Sequence, residues 1–441
     1  MKNSMEHIVI IGNGISGITL ARHIRKLSDK KITVISAESE HFFSRTALMY
    51  VFMGHMKFEH IKPYEDDFWK KNNINLVYNY VERVDSKNKN VIFSDETKLS
   101  YDKLVIASGS KSNRFGWKGQ DLYGVLSLYS KQDLEKVEEL SISCERAIVV
   151  GGGLIGIELV EMLLSRNIPV TFLVREKSFW NTVLPTEDSE LITKHILAHG
   201  VDIRLDTNLD EIISDGFGNV KSIITDKGET INCCMVGLTV GVSPNIDFLK
   251  TSDIEIDRGV KVNRFLETNI KDVYAIGDCA QQQEAIGNRK TIEAVWYTGR
   301  MMGETLAQTI CGKAMQYNPG NWFNSSKFMD IEYQTYGWVM ANPLENEAQI
   351  YWEHSSAQKA IRISYDKNTD IFLGINIYGI RMRHEFFNTI LNEKKPVGFV
   401  IENLKLANFD PEFFTSHYEE IKRKLVIQVI ALKQNNYEPI R

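Results

Sequence analysis

Two glycine-rich turns, one opening at Gly12 and the other at Gly151, each follow a short apolar strand and lead into a helical stretch; this doubled pattern restricts the fold more than any other feature. The first reads Gly12-Asn13-Gly14-Ile15-Ser16-Gly17 after Ile8-Val9-Ile10-Ile11. The second reads Gly151-Gly152-Gly153-Leu154-Ile155-Gly156 after Ile148-Val149-Val150. Each is followed by a β-branched strand and an acid, Glu38 in one case and Glu176 in the other. The acid falls about 20 residues past the last glycine, where a dinucleotide fingerprint puts the carboxylate that holds a ribose. The first glycine makes the tight turn, the second lets backbone approach a pyrophosphate, and the third allows close helix–strand packing. The helix N-terminus then offers free N–H groups to the phosphates. Two dinucleotide sites are therefore expected. One is built on Gly12, Gly14, Ile15, Ser16, Gly17 and Glu38, the other on Gly151, Gly153, Leu154, Ile155, Gly156 and Glu176.

A chain of 441 residues is long enough for about three domains. The net charge of −5 is small for this length and does not suggest wrapping of nucleic acid. No apolar run is long enough to span a bilayer. The stretch Met1 to His7 runs straight into the first strand, so no signal peptide is expected. Five cysteines without regular spacing argue against a disulfide scaffold, and a reducing cytoplasm fits best.

Further strands end in small residues, as needed where backbone passes close to a ligand. Lys103 to Ile106 runs into Ala107, Ser108 and Gly109; Met235 to Val240 runs into Gly241; Val273 to Ile276 runs into Gly277 and Asp278. Ligands of open α/β sheets sit at such carboxyl ends. In this order the motifs resemble the two-dinucleotide flavoproteins, the pyridine-nucleotide–disulfide oxidoreductase superfamily, over about residues 7 to 312. The resemblance implies an α/β fold with two Rossmann-like domains, the nicotinamide domain inserted in the FAD domain, plus a C-terminal α+β domain. Implied boundaries are 1–113 with 243–313 for FAD, 114–242 for NAD(P)H and 314–441 for the C-terminal interface domain. Gly12, Gly14, Gly17 and Glu38 would hold the ADP half of FAD, and Asp278 its ribityl chain. The second fingerprint would take NADH or NADPH.

Within this superfamily the electron acceptor divides the members. Disulfide reductases carry a Cys-x4-Cys pair after the first ribose acid, but no cysteine precedes Cys144 here. Thiolate chemistry at the flavin face is therefore not expected. The His-Glu pair of those enzymes is also not matched at His417. Phe43-Ser44-Arg45-Thr46-Ala47-Leu48 instead resembles the aromatic-x-Arg-Pro-Pro-Leu segment of ferredoxin and rubredoxin reductases and of nitrite reductase flavoproteins. Arg45 and Leu48 match, Thr46 and Ala47 replace prolines, and Tyr50 stands where that branch has a lysine. Glu158, two residues past Gly156, would hydrogen-bond the nicotinamide end; otherwise it is an acid in the first helical turn, favoured by the dipole. Arg45 and Glu158 are the two candidates for catalytic roles. Glu176 repels a 2′-phosphate whereas Arg175 could pair with one, leaving NADH or NADPH open. Trp296 and Tyr297 would cover the flavin ring or serve as core.

Cys233-Cys234 reads as structural burial, and the absence of CxxC, HExxH and EF-hand patterns argues against a bound metal. Alternating segments after Asn321 read as an antiparallel sheet with helices. Arg381, Arg383, Lys394 and Lys395 form a basic patch suited to an acidic iron–sulfur carrier, or an ordinary solvated face. Residues 421–432 join a basic cluster to an apolar stripe that could lie on a membrane surface or dock on its own domain. The resulting expectation is an FAD-dependent NAD(P)H oxidoreductase that passes single electrons to a ferredoxin or rubredoxin, with a homodimer compatible. The alternatives are a membrane-surface NADH:quinone reductase and a slow-turnover FAD/NADH-binding redox sensor.

Overall fold

The computed structural model describes residues 5–409, 412 and 415–435. Residues 1–4, part of the stretch where no leader is expected, lie outside the described residues. The chain divides into two compact units, each discontinuous in sequence. One comprises Met1–Phe115, Leu126–Ile142 and Val240–Pro319; the other comprises Gly116–Val125, Ser143–Thr239 and Gly320–Arg441.

The first unit is organised on a five-stranded sheet in the order Val273–Ala275, Lys103–Ile106, His7–Ile11, Lys31–Ser36, Ile74–Tyr78. All four pairings are parallel, with Ile8 opposite both Ile32 and Lys103. The central strand is buried along its whole length, so it reads as a continuous apolar run rather than an alternation. Helices Ile15–Leu27 and Trp296–Ile310 cross closely. Glycines make this crossing tight: a Cβ on Gly299 would lie 2.5 Å from Ser16 Oγ, and one on Gly303 would lie 2.6 Å from the Ser16 carbonyl oxygen. The two helix starts, and with them Ser16 and Trp296, are thereby brought together.

The second unit repeats the plan. Its parallel run is Asp202–Leu205, Val170–Val174, Ala147–Val150, Met235–Leu238. The same unit holds a five-stranded antiparallel sheet in the order Phe323–Phe328, Ile331–Gly337, Phe372–Tyr378, Ala360–Asp366, Glu347–Glu353. Helices His384–Asn392, Val397–Ala407 and Tyr418–Asn435 accompany this sheet, as expected of an antiparallel sheet with helices. A buried polar network ties it to helix Thr186–Ala198. Asp188 is fully buried and accepts from Arg362 Nε at 2.6 Å, Asn376 Nδ2 at 3.1 Å and Tyr378 Oη at 3.0 Å. Burial pushes the Asp188 carboxyl up, and the Arg362 guanidinium opposes that push.

One expectation needs correction, and the fold bears on two alternatives left open. Cys234 does not pack as a buried thiol beside Cys233; it is bonded to Cys144, with the Cα atoms 5.6 Å apart. Parallel pairing of Ala147–Val150 with Met235–Leu238 brings the residues just before these strands together, which linear spacing cannot show. One face of the 421–432 segment docks on its own domain: Ile421 and Leu425 are buried in the C-terminal core and Gln428 exchanges two hydrogen bonds with the Tyr351 backbone, while Ile427 and Ile430 stay exposed. The basic patch is partly neutralised within the chain, because Arg381 pairs with Glu332 and Lys395 with Glu393. Among the described residues no helix is long and apolar enough to cross a membrane.

Candidate functional site

The first glycine turn shows three distinct local requirements. Gly12 has φ +115°, and a Cβ there would lie 2.1 Å from the Ala107 carbonyl oxygen. Gly17 packs so that its Cβ would strike the Gly12 carbonyl at 2.1 Å. Gly14, the N-cap of helix Ile15–Leu27, faces open space, with nothing within 4 Å of where a Cβ would stand. No side chain caps this helix and no acid lies in its first turn, so its N–H groups remain available to an anion. A pyrophosphate fits this opening.

Around it, Glu38 is held from three sides. Arg45 Nη1 donates to Glu38 Oε1 at 2.8 Å and Nη2 to Oε2; the Lys131 N–H donates to Oε1 at 2.9 Å. Lys131 is the first residue of helix Lys131–Ser141, so the partial positive charge of that helix start also faces the carboxylate. Arg45 lies 4.4 Å from the Tyr129 ring centroid and donates to the Tyr129 carbonyl. Burial acts to lower the Arg45 pKa, but the hydrogen bond to Glu38 and the charges of Glu38 and Asp278 outweigh it and raise it. The guanidinium is therefore a fixed positive charge. It leads the short helical turn Arg45–Ala47, where Thr46 and Ala47 stand in place of prolines.

Asp278 follows Gly277 at the carboxyl end of its strand. Ser110 Oγ donates to Asp278 Oδ2 at 3.1 Å, and burial raises the pKa of the carboxyl. The Ser110 N–H in turn donates to Tyr129 Oη at 3.0 Å. Gly109 lies against the same hydroxyl, and Ser108 Oγ donates to the Asn245 carbonyl at 2.7 Å. Trp296 and Tyr297 begin their helix half-buried, in an edge-to-face pair 5.5 Å apart. The structure thus gathers Gly12, Gly14, Ser16, Gly17, Glu38, Arg45, Gly277, Asp278 and Trp296 at one end of one sheet. Sequence reasoning missed Tyr129, Ser110 and the Lys131 helix start. Tyr129 and Lys131 sit in the Leu126–Ile142 segment, where no local motif marks them.

The second turn copies the geometry. Gly151 has φ +114°, a Cβ on Gly156 would lie 2.2 Å from the Gly151 carbonyl oxygen, and Gly153 faces open space at an uncapped helix start. Leu154 and Ile155 begin helix Leu154–Ser165. Glu158 is not in the first turn of that helix, which contains no acid; it lies in the second. A dipole-favoured terminal acid is therefore the wrong description. Burial, aided by Glu161, pushes the Glu158 carboxyl up to about 7, while Lys327 pulls the other way. Lys327 is itself paired with Glu161 at 2.6 Å.

Glu176 accepts from Arg175 Nε at 2.8 Å, and the Arg175 side chain is 73% exposed. Past this strand end lies a cleft of ≈ 650 Å³ lined in part by Lys177, Ser178, Asn181, Thr182, Glu190 and Lys194; neither Glu158 nor the glycines line it. Gly241, the remaining expected contact, has φ +90°, and its carbonyl accepts from the Asn113 N–H where the chain returns to the first unit.

Of the cysteines, Cys279 and Cys311 belong to the first unit. Cys279 is fully buried, and burial raises its thiol pKa. Burial likewise pushes Cys233 up to about 12. The Cys144–Cys234 bond sits at the amino ends of strands whose carboxyl ends carry the second turn, roughly 13 Å along a four-residue strand.

Comparison with known proteins identifies the family of the chain. The family model described as pyridine nucleotide-disulphide oxidoreductase matches residues 6–303. The chain is 30% identical over 337 residues to an NADH oxidase of Methanocaldococcus jannaschii, covering 74% of each. It is 28% identical over 312 residues to an NADH-rubredoxin oxidoreductase of Clostridium acetobutylicum, covering 70% of this chain and 76% of that protein. In fold it is similar to the reductase in the covalent putidaredoxin reductase–putidaredoxin complex. The TM-score is 0.80 at 20% identity, over 98% of this chain and 100% of that one.

Proposed function

Because the chain belongs to the pyridine nucleotide-disulphide oxidoreductase family, we propose that it is an NAD(P)H-dependent reductase of a small iron–sulfur electron carrier, a ferredoxin or a rubredoxin. It is a flavoprotein oxidoreductase that uses FAD and a pyridine nucleotide. When bound, FAD would supply the redox chemistry, two electrons taken from the reduced nucleotide and passed on one at a time. The residues of this chain bind, orient and shield.

Gly14 and the uncapped helix behind it take the FAD pyrophosphate. Glu38 keeps acceptor capacity on Oε2 for a ribose hydroxyl, with Arg45 and the Lys131 helix start fixing the carboxylate. Asp278 offers Oδ1 to the ribityl chain, while Ser110 holds Oδ2. Trp296 and Tyr297 cover the ring and exclude water. In the second unit Gly153 takes the nicotinamide dinucleotide. Glu158 orients its nicotinamide end and exchanges a proton near neutral pH. Arg175 and Glu176 together decide between a 2′-phosphate and a 2′-hydroxyl. On this reading the FAD domain is 1–113 with 243–313 and takes in the segment Leu126–Ile142 that carries Tyr129 and Lys131, the nicotinamide domain is the rest of 114–242, and 314–441 forms the carrier interface.

The observation that carries the carrier reading is the lack of an ionisable thiol where the first unit gathers its flavin-binding groups. Cys279 is sealed and neutral. Cys311 caps the far end of helix Trp296–Ile310, about 20 Å from Trp296 at helical rise. Without a sulfur relay, electrons leave to an external one-electron acceptor. Rapid anaerobic mixing with NADH, and separately NADPH, should bleach the flavin, and added rubredoxin or ferredoxin should restore the colour catalytically. No bleaching with either nucleotide overturns the reading, as does reoxidation by oxygen or quinone alone.

A further inference from the structure

We propose that His195, His199 and Asp330 form a binding site for one divalent transition-metal ion, zinc by the chemistry of its donors, which fastens the turn at Met329–Asp330 to helix Thr186–Ala198. All three residues belong to the second unit. His195 lies in the last turn of the helix and His199 caps it one turn later, so the two imidazoles share a face, ring centroids 4.5 Å apart. The turn between Phe323–Phe328 and Ile331–Gly337 is two residues long, Phe328 being opposite Ile331. Met329 takes φ +55° to make it, and Asp330 meets the histidines.

The donor atoms converge. Nδ1 of His199 donates to the His195 carbonyl at 2.9 Å, which leaves Nε2 as the bare nitrogen; that atom is 3.5 Å from Asp330 Oδ1. Nε2 of His195 also meets Asp330 Oδ1. One donor atom from each of the three residues lies within 4.8 Å of the other two. Zinc–nitrogen and zinc–oxygen bonds of about 2.0–2.2 Å in a tetrahedron need donor separations of about 3.3–3.6 Å, so the His199–Asp330 spacing already fits. A backbone carbonyl fixing the tautomer of a ligating histidine is the usual outer support of such sites. Two imidazoles and one carboxylate suit zinc, cobalt or nickel rather than magnesium or calcium. His195 is buried, whereas His199 and Asp330 are exposed, so an ion can enter from solvent and a water can complete its coordination.

A second cluster, His354, His417 and Glu420, lacks these properties. Lys359 Nζ stands 2.9 Å from His417 Nε2, which places a cation where a metal would need a lone pair, and Glu420 already accepts from Trp352. Two of the three residues of the first cluster are visible in the sequence, as a His-x3-His pair; Asp330 comes from 135 residues beyond His195.

The test uses untagged, chelator-treated full-length protein with its flavin in place, titrated with cobalt(II) for visible d–d absorption and with zinc(II) by calorimetry. One ion per chain should bind, and zinc should raise the melting temperature. His199→Ala and Asp330→Asn, both at exposed positions, should each weaken binding by at least about tenfold and abolish the shift. Their metal-free melting temperature and flavin content should stay at the parent values. No saturable binding, or unchanged affinity in both variants, overturns the proposal.

Discussion

The two glycine turns are near copies in backbone, yet their surroundings treat an acid in opposite ways. In the first unit Glu38 is held by a bidentate arginine and a helix start, and the arginine, 31% exposed, also lies over the Tyr129 ring. In the second, Glu176 has one arginine contact, from a side chain mostly in solvent. Two residues past the third glycine, the first unit has the buried Thr19 and the second has Glu158, whose carboxyl is pushed up to about 7. The glycine skeleton sets that a dinucleotide binds; the residues around it set how permanently. A carboxylate held bidentately beside a helix start suits a resident cofactor, and a single contact from an arginine mostly in solvent, on a Glu176 side chain itself only 17% exposed, suits a nucleotide that comes and goes.

The largest expected break of this comparison is steric. Gly14→Val and Gly153→Val both add bulk where nothing lies within 4 Å, so folding should be spared and any loss assigned to a ligand. Gly14→Val should purify with flavin affinity lowered by about 100-fold or more, roughly 3 kcal/mol. Gly153→Val should keep its flavin and lose rapid bleaching by NADH. Full flavin content in Gly14→Val would contradict the first assignment. Next comes the arginine pair: Arg45→Met strands the Glu38 carboxylate and should cost about 2 kcal/mol of unfolding free energy. Arg175→Ala should cost less than about 0.5 kcal/mol, because exposed pairs contribute little. Chemical denaturation of both variants would show whether the two surroundings differ as described.

Glu158 sharpens the contrast through pH. Its carboxyl titrates near 7 when folded, against 4.5 as the ordinary value, so folding favours the protonated form. Its contribution to stability is fully present below about pH 4.5 and lost as pH rises through 7. Glu158→Gln should therefore gain on the parent chain across that window, by on the order of 2 kcal/mol at pH 8. Equal melting curves at pH 5 and pH 8 would show that the carboxyl is not buried. A smaller effect, above only that of Arg175→Ala, is at Tyr129. Tyr129→Phe removes the acceptor for the Ser110 N–H and should cost about 1 kcal/mol, with the Arg45 ring contact retained.

The strand–turn–helix unit at each glycine set was legible because Ile8–Ile11 and Ile148–Val150 are apolar without alternation, followed by glycine and helix. Glu38 and Glu176 were singled out by their distance along the chain from the glycines. What could not be read were contacts made by closure of distant segments. Lys131 reaches Glu38 and Tyr129 reaches Arg45 from a stretch with no motif of its own, and Cys144 meets Cys234 across 90 residues. The placement of Glu158 was misjudged by one helical turn, because helix Leu154–Ser165 starts beyond Gly153 and no capping side chain marks its onset. Exposed charge is the hardest to read: Arg381 looked like part of a docking surface until the fold set Glu332 beside it.

The Asp188–Arg362 network has a consequence for how this protein can be taken apart. Excising residues 320–441 to leave a minimal two-nucleotide enzyme would deprive Asp188 of all three donors at once and expose the apolar face of its helix. The trimmed product should aggregate rather than behave as an independent module. In calorimetry the second unit should melt as a single cooperative transition, with its carboxy-terminal sheet showing no separate endotherm.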